Sequence, residues 1–253
     1  MGYKRIKLGR WDAGTERGLS LEDLNLEQVR NYIDQVKRVG RRPVPEGTTE
    51  IEFLERLNLL DNGIPTRAAL FLFARDLGKH FPAAYVKLGR FRSPTLIVDD
   101  RRVDGSVMRQ IDECMIWFRE RLQTEFVITG APQREVVWEY PLEAVREAVV
   151  NAVCHRDYRS NTNAQIRLYD DHLELWNPGE LPASLTADDL LRDHDSVPRN
   201  RLLADCLFYC GLIENWGSGT MRMAEALTVA GLRFLSLILR HTVASESFCE
   251  VTG

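Results

Sequence analysis

Three polar side chains in one short segment have the types and spacing to act together. In Pro141-Leu-Glu-Ala-Val-Arg-Glu-Ala-Val-Val-Asn-Ala-Val-Cys-His-Arg-Asp-Tyr158, residues Glu147, Asn151 and His155 succeed one another at intervals of four. A helix turns about 100° per residue, so the three share one face. Leu142, Val145, Val149, Ala152 and Val153 fall on the opposite face, which is the side expected to be buried. A carboxylate can accept a proton from water, and a carboxamide oxygen suits a hard cation such as magnesium. Alone, a Glu-x-x-x-Asn pair is also what an ordinary surface helix carries. It gains significance only from its neighbours further along the chain.

Two glycine elements stand there. Asn177-Pro-Gly179-Glu-Leu-Pro182 comes directly after an expected strand, and Gly217-Ser-Gly219-Thr220 opens an expected helix. Glycine lets backbone N–H groups approach phosphate oxygens closely, and a helix N-terminus favours negative charge. Between them lies an irregular stretch, Asp193–Asn200, in which Arg199 either contacts phosphate or forms a surface salt bridge. His155 is similarly open: it either touches phosphate or satisfies a local hydrogen bond.

The elements that must position these residues can be read from caps, breaks and periodicity. Ser20-Leu-Glu-Asp23 has the form of a capping box, and Leu26, Val29, Ile33 and Val36 then recur at helical spacing. Gly40-Arg-Arg-Pro-Val-Pro breaks that pattern. A second helix is expected from Thr49, a turn at Asp61-Asn-Gly63, and a third helix after Pro65. The outline suggests a helix–turn–helix, but the third helix reads Ala-Ala-Leu-Phe-Leu-Phe-Ala, too apolar for a DNA groove. It is expected to be a buried packing helix. Strands are expected at 83–91 and 94–98, a helix at 106–122 and a short strand at 135–140. Pro141 suits the first position of the next helix. Two strands, 164–169 and 173–176, a helix from about Thr186, helices through 202–210 and up to Ala230, and two final strands complete the chain.

Composition sets outer limits. The chain has 253 residues, 44% hydrophobic and 28% charged, with a net charge of -4, so it is not a nucleic-acid polycation. Basic excess is local: residues 1–42 hold ten Lys/Arg against six Asp/Glu. Five scattered cysteines argue against a disulfide framework, and none has metal-ligand spacing with a histidine. No apolar run approaches the ~20 residues of a membrane span, and the N-terminus lacks a signal peptide's apolar core. The expected setting is the cytoplasm of a prokaryote, with no membrane partner.

Four phrases, "REAVVNAVCHRDY", "LELWNPGELP", "PRNRLLA" and "GLIENWGSGTMRM", carry a family resemblance. Residues from about Trp138 to Ala230 resemble the GHKL (Bergerat-fold) ATPases of gyrase B, MutL and histidine kinases. More narrowly they resemble the divergent branch of RecG-related helicase-like proteins and transcriptional regulators that accompany Schlafen-like AlbA-type domains. The resemblance implies an α+β fold: a two-layer α/β sandwich over 105–253, with its boundary within 105–135, preceded by a mixed helical and strand region over 1–104. It implies ATP and Mg2+ as cofactors. Glu147 becomes the base or positioner of the attacking water, and Asn151 the magnesium ligand. Asn177, Gly179, Gly217, Gly219 and Thr220 join His155 and Arg199 around the nucleotide. Two positions depart from the pattern. Asn177 stands where the wider family has an adenine-binding Asp, which loses charge-assisted strength, and Leu181 replaces a glycine.

The resulting expectation is an ATP-binding domain with slow ATPase activity in a DNA-associated regulator. The competing expectation is a nucleotide-free or catalytically inactive scaffold that binds a partner. DNA contact is expected to come through a preceding N-terminal domain, since the chain begins about where such a domain would end. A homodimer is compatible with the resemblance. A helicase motor is not expected, because no G-x-x-x-x-G-K-[ST] loop is present and Gly78-Lys79 is followed by His80. No recognisable phosphoacceptor helix pair supports a histidine kinase.

Overall fold

The computed structural model describes residues 11–127, 135–186, 188–192, 196–214, 219–240 and 246–252. The Ser20 box forms as expected, but it caps a single 3-10 turn, Leu21–Asp23. The helix proper, α1 (Leu26–Val39), starts one turn later, with Asn25 accepting from the backbone of Glu27 and Gln28. Gly40 ends it at a φ of 73, a left-handed position that glycine adopts without steric cost. α2 (Glu50–Arg56) begins on a reciprocal Thr49–Glu52 box. β1 (Leu60–Asp61) and β2 (Ile64–Pro65) form a hairpin around Asn62 and Gly63, both at positive φ. α3 (Arg67–Phe73) is capped by Thr66, and every residue from Ala68 to Phe73 is buried. It is a core helix, as its composition requires, and has no face left for a groove.

β3 (Val86–Ser93) and β4 (Leu96–Val103) form an antiparallel hairpin with two register shifts near its tip. β3 begins and ends later than the expected 83–91, and β4 runs five residues beyond the expected end at 98. α4 (Val107–Arg121) starts at the Ser106 cap. β5 (Thr124–Val127) and β6 (Glu135–Trp138) make a separate two-stranded ribbon, of which the sequence pattern marks only the second strand. α5 (Leu142–His155) comes next, with Pro141 one position earlier than expected, as its N-cap. β7 (Ala164–Leu168) and β8 (His172–Pro178) are antiparallel neighbours. A 3-10 turn at Asp188–Leu191 stands where a helix from Thr186 was expected. α6 (Arg201–Tyr209), α7 (Gly219–Val229), β9 (Arg233–Arg240) and β10 (Glu246–Thr252) complete the order.

Six strands form one sheet in the order β4-β3-β7-β8-β10-β9. All neighbours are antiparallel except β3 and β7, which run parallel with Val86 beside Ala164. The sheet therefore takes strands from both sides of position 104, where the N-terminal region was expected to end. Strand alternation places Leu88, Ile166 and Leu175 side by side, all buried, on one face. Helices α4, α5 and α7 cover that face, touching β4, β8 and β9 respectively. The architecture is mixed α/β, in agreement with an α+β class. Among the described residues, no helix is long and apolar enough to cross a membrane.

Candidate functional site

α5 is the positioning element. Val145, Val149 and Val153 are buried as the periodicity requires, but Val150 and Cys154 are buried too, and Ala152 only half so. α5 is enclosed on several sides because α4, α7 and β8 all pack against it. Its polar face is what remains, and it opens towards the start of α7.

On that face Asn151 Nδ2 donates to Glu147 Oε1 over 3.3 Å. The amide thus turns its nitrogen to the carboxylate, and its carbonyl oxygen points elsewhere as an acceptor. Burial pushes the Glu147 carboxyl up from its ordinary value of 4.5, and Glu214 adds to this. Arg222, the Asn151 amide and Arg146 pull the other way. Arg222 lies 3.9 Å from Glu147 Oε2. His155 is the last residue of α5, one turn beyond Asn151 and half-buried.

Gly219 is the first residue of α7 and lies directly against Glu147. A Cβ built on it would overlap Glu147 Oε1 and come within 2.9 Å of Cδ. Only glycine lets the first turn of α7, whose N–H groups have no partner within the helix, approach the carboxylate so closely. Thr220 Oγ1 donates to Leu190 O over 2.7 Å, tying α7 to the 3-10 turn after the first glycine element. Gly217 lies outside the described residues. Between α5 and α7, one turn before Glu147, is a small apolar hollow floored by Leu173 and Leu175 and flanked by Ala144, Ala148 and Met223.

The first glycine element is held by a network of residues from two of the quoted phrases, Arg156, Asp157, Arg199 and Asn200, of which only Arg199 was singled out by its position. Asn177 is buried at the end of β8. Gly179 has a φ of 122, and its α-carbon faces the Arg199 guanidinium 3.1 Å from where a Cβ would stand. Arg199 donates to the Glu180 carbonyl and lies 3.6 Å from Asp157. The Asp157 N–H donates to Pro178 O at 2.8 Å, fastening the segment after α5 to the same turn. Paired Arg159 holds the Asp157 carboxyl below its usual range. Asn200 Nδ2 reaches the carbonyls of both Cys154 and Arg156 at 2.9 and 2.8 Å, satisfying the C-terminal end of α5. Buried Arg156 donates to the carbonyls of Tyr85, Ala83 and Thr162. No sequence signal separates such residues from charged neighbours, because their partners are backbone carbonyls far along the chain. Gly179→Ala is expected to cost roughly 1–3 kcal/mol, since that φ is essentially restricted to glycine. Chemical denaturation measures this, and an unchanged midpoint would contradict the strain.

Likeness to a known family covers the glycine elements but not α5. Residues 161–243 match the family described as "Putative ATP-dependent DNA helicase recG C-terminal". The match spans β7, β8, the first glycine turn, α6 and α7, and begins after α5. This segment is similar to RecG-related ATPase-like domains. No curated protein matches the chain. The crystal structure of the DIP2311 protein from Corynebacterium diphtheriae is similar in fold, with a TM-score of 0.77 at 22% identity. The alignment covers 99% of this chain and 49% of that one, so the chain spans about half that protein's length.

Proposed function

We propose that this chain is the ATP-binding domain, with slow ATPase activity, of a RecG-related DNA-associated regulator, and that its nucleotide lies between α5 and α7 in a GHKL-type sandwich. The observation that carries the reading is the contact between side-chain-free Gly219 and the Glu147–Asn151 pair. It joins a helix N-terminus to a carboxylate and a carboxamide, the groups needed for phosphate, water and metal.

The residues fit magnesium-ATP chemically. Asn151 Oδ1 is the hard-cation acceptor, since its Nδ2 is committed to Glu147. Bound magnesium would neutralise charge on the phosphates. The N–H groups opening α7 accommodate phosphate oxygens. Asn177, at the end of β8, offers a carboxamide to the base. Glu147 takes a proton from water on a carboxylate oxygen, and its raised pKa makes it a stronger base than an exposed glutamate.

The test is thermal denaturation of the whole chain with ATP from micromolar to millimolar, with and without magnesium. A ligand that binds only the folded state raises the melting temperature. A flat response, with ADP equally inert, leaves the scaffold reading. That reading has its own support: the Thr220 hydroxyl and the Arg199 guanidinium are both engaged within the protein.

Glu147→Gln is expected to keep nucleotide binding and to lose hydrolysis by at least tenfold, whereas Asn151→Ala weakens binding only when magnesium is present. Hydrolysis by the unaltered chain should fall as pH drops through a value above 4.5, because the raised group protonates early. Stability carries the opposite sign. The folded state favours protonated Glu147, so that contribution is present below the ordinary value of 4.5 and is lost as pH rises through the raised value of the folded state. Glu147→Gln should therefore melt no lower than the unaltered chain at pH 7. Wild-type turnover in this variant would remove Glu147 from the chemistry.

A further inference from the structure

β4 is an edge strand of the six-stranded sheet, and no described strand pairs with its outer side. Edge strands offer unpaired N–H and C=O groups to any incoming strand. At its tip three consecutive apolar residues are about half exposed: Leu96 at 54%, Ile97 at 50% and Val98 at 54%. A lone exposed leucine is ordinary, but a run of three on a sheet edge is the arrangement monomers avoid. Immediately after them comes Asp99-Asp100-Arg101-Arg102.

We infer that β4 pairs antiparallel with β4 of a second copy of this chain, joining two six-stranded sheets about a two-fold axis. Charge order selects the partner and the direction. A parallel pairing in register would set acid on acid and base on base. Reversed, the strand meets its own complement. A two-fold axis normal to the sheet keeps each face on its own side, so opposed residues must both be even or both be odd in number.

Two registers that oppose acid to base within Asp99–Arg102 satisfy this condition. One centres on Asp100, which would meet the other copy's Asp100. That residue is exposed, and the like charges would face each other directly. The other centres on Arg101. Arg101 already has Glu113 at 2.5 Å, so its charge is compensated where the two copies meet. This second register sets Asp100 opposite Arg102 of the other copy, twice by symmetry. Arg102 holds Asp104 through Nε and Nη2 in an exposed pair, 54% and 53% accessible, and its guanidinium lies 3.9 Å from the centre of the Tyr85 ring, so a second carboxylate reaches it through Nη1. Asp99 does not compete, since Arg121 and Trp117 hold it on the helix side. The same register brings the Leu96–Val98 run past the end of the other copy's β4 to its Asp104–Ser106 turn, where the stem of Arg109 lies over Gly105.

Sedimentation equilibrium on the whole chain between about 5 and 200 µM tests this. The expected result is a reversible shift from 29.0 kDa towards twice that mass, weakened by salt. Asp100→Arg alone and Arg102→Asp alone should each weaken association at least tenfold. The double exchange, Asp100→Arg with Arg102→Asp, should restore it. Circular dichroism melting confirms that each variant is folded, and Ile97→Lys gives a second disruption independent of the charges. A monomer throughout the range, or association untouched by the single reversals, overturns the inference. So does a double exchange that fails to recover in a folded protein.

Discussion

Gly219→Ala is expected to abolish nucleotide-dependent stabilisation and hydrolysis while the protein stays folded. One methyl group suffices, because a Cβ at this position would overlap Glu147 Oε1. The clash falls on the end of a flexible side chain, so the fold can absorb it by swinging the carboxylate aside. The same swing breaks the 3.3 Å hydrogen bond from Asn151 and moves the base away from the start of α7. Catalytic groups tolerate little displacement: about 1 Å of misplacement can cost on the order of a hundredfold in rate. Valine adds a branched group and should be at least as severe. The measurement is a pair, melting temperature without ligand and its shift with magnesium-ATP. An unchanged shift in Gly219→Ala would place phosphate elsewhere in the molecule.

The largest loss of stability is expected from Arg156→Ala. This guanidinium is 1% exposed and donates to three carbonyls, of Tyr85, Ala83 and Thr162. It also lies 5.2 Å from the centre of the Tyr158 ring, which stacks in turn on Phe71. Alanine leaves those carbonyls without their donor and a void at the junction of β3, α5 and the N-terminal helices. An unsatisfied buried acceptor costs about 1–3 kcal/mol, so a loss of about 3–5 kcal/mol is expected in all. That is a large part of the roughly 5–15 kcal/mol typical of a folded domain. Lysine should rescue poorly, because an ammonium cannot reproduce the planar fork that reaches three acceptors. Urea denaturation decides the matter. A loss below about 1 kcal/mol would show that water replaces the guanidinium without the penalty of an unsatisfied acceptor.

Local features were legible in the sequence because their causes are local. The Ser20 box, the helix starts at Thr49 and Ser106 and the Asn62-Gly63 turn each depend on residues within four positions of one another. The buried character of α3 followed from its composition. The spacing of Glu147 and Asn151 placed them on one face, and Gly219 was singled out, but neither their hydrogen bond nor the approach of Gly219 was readable, since α5 and α7 meet only through tertiary packing. Two things stayed hidden for the same reason. Arg156, Asp157 and Asn200 work through backbone carbonyls and N–H groups, which carry no residue identity. The β3–β4 hairpin joins the main sheet through a parallel pairing with β7, and parallel strands need a long crossover that leaves no short-range mark.

That parallel pairing also bears on how the molecule is made. Val86 cannot meet Ala164 until α4 and α5 have both been synthesised. Pairings between residues so far apart demand loop closure before they return any stability, and chains dominated by them fold slowly. A nascent chain halted before residue 164 would hold the β3–β4 hairpin with its inner edge unpaired and Leu88 uncovered. For that interval the growing polypeptide has two sticky strand edges rather than one, and it should depend on holding chaperones far more than a helical bundle of equal length would.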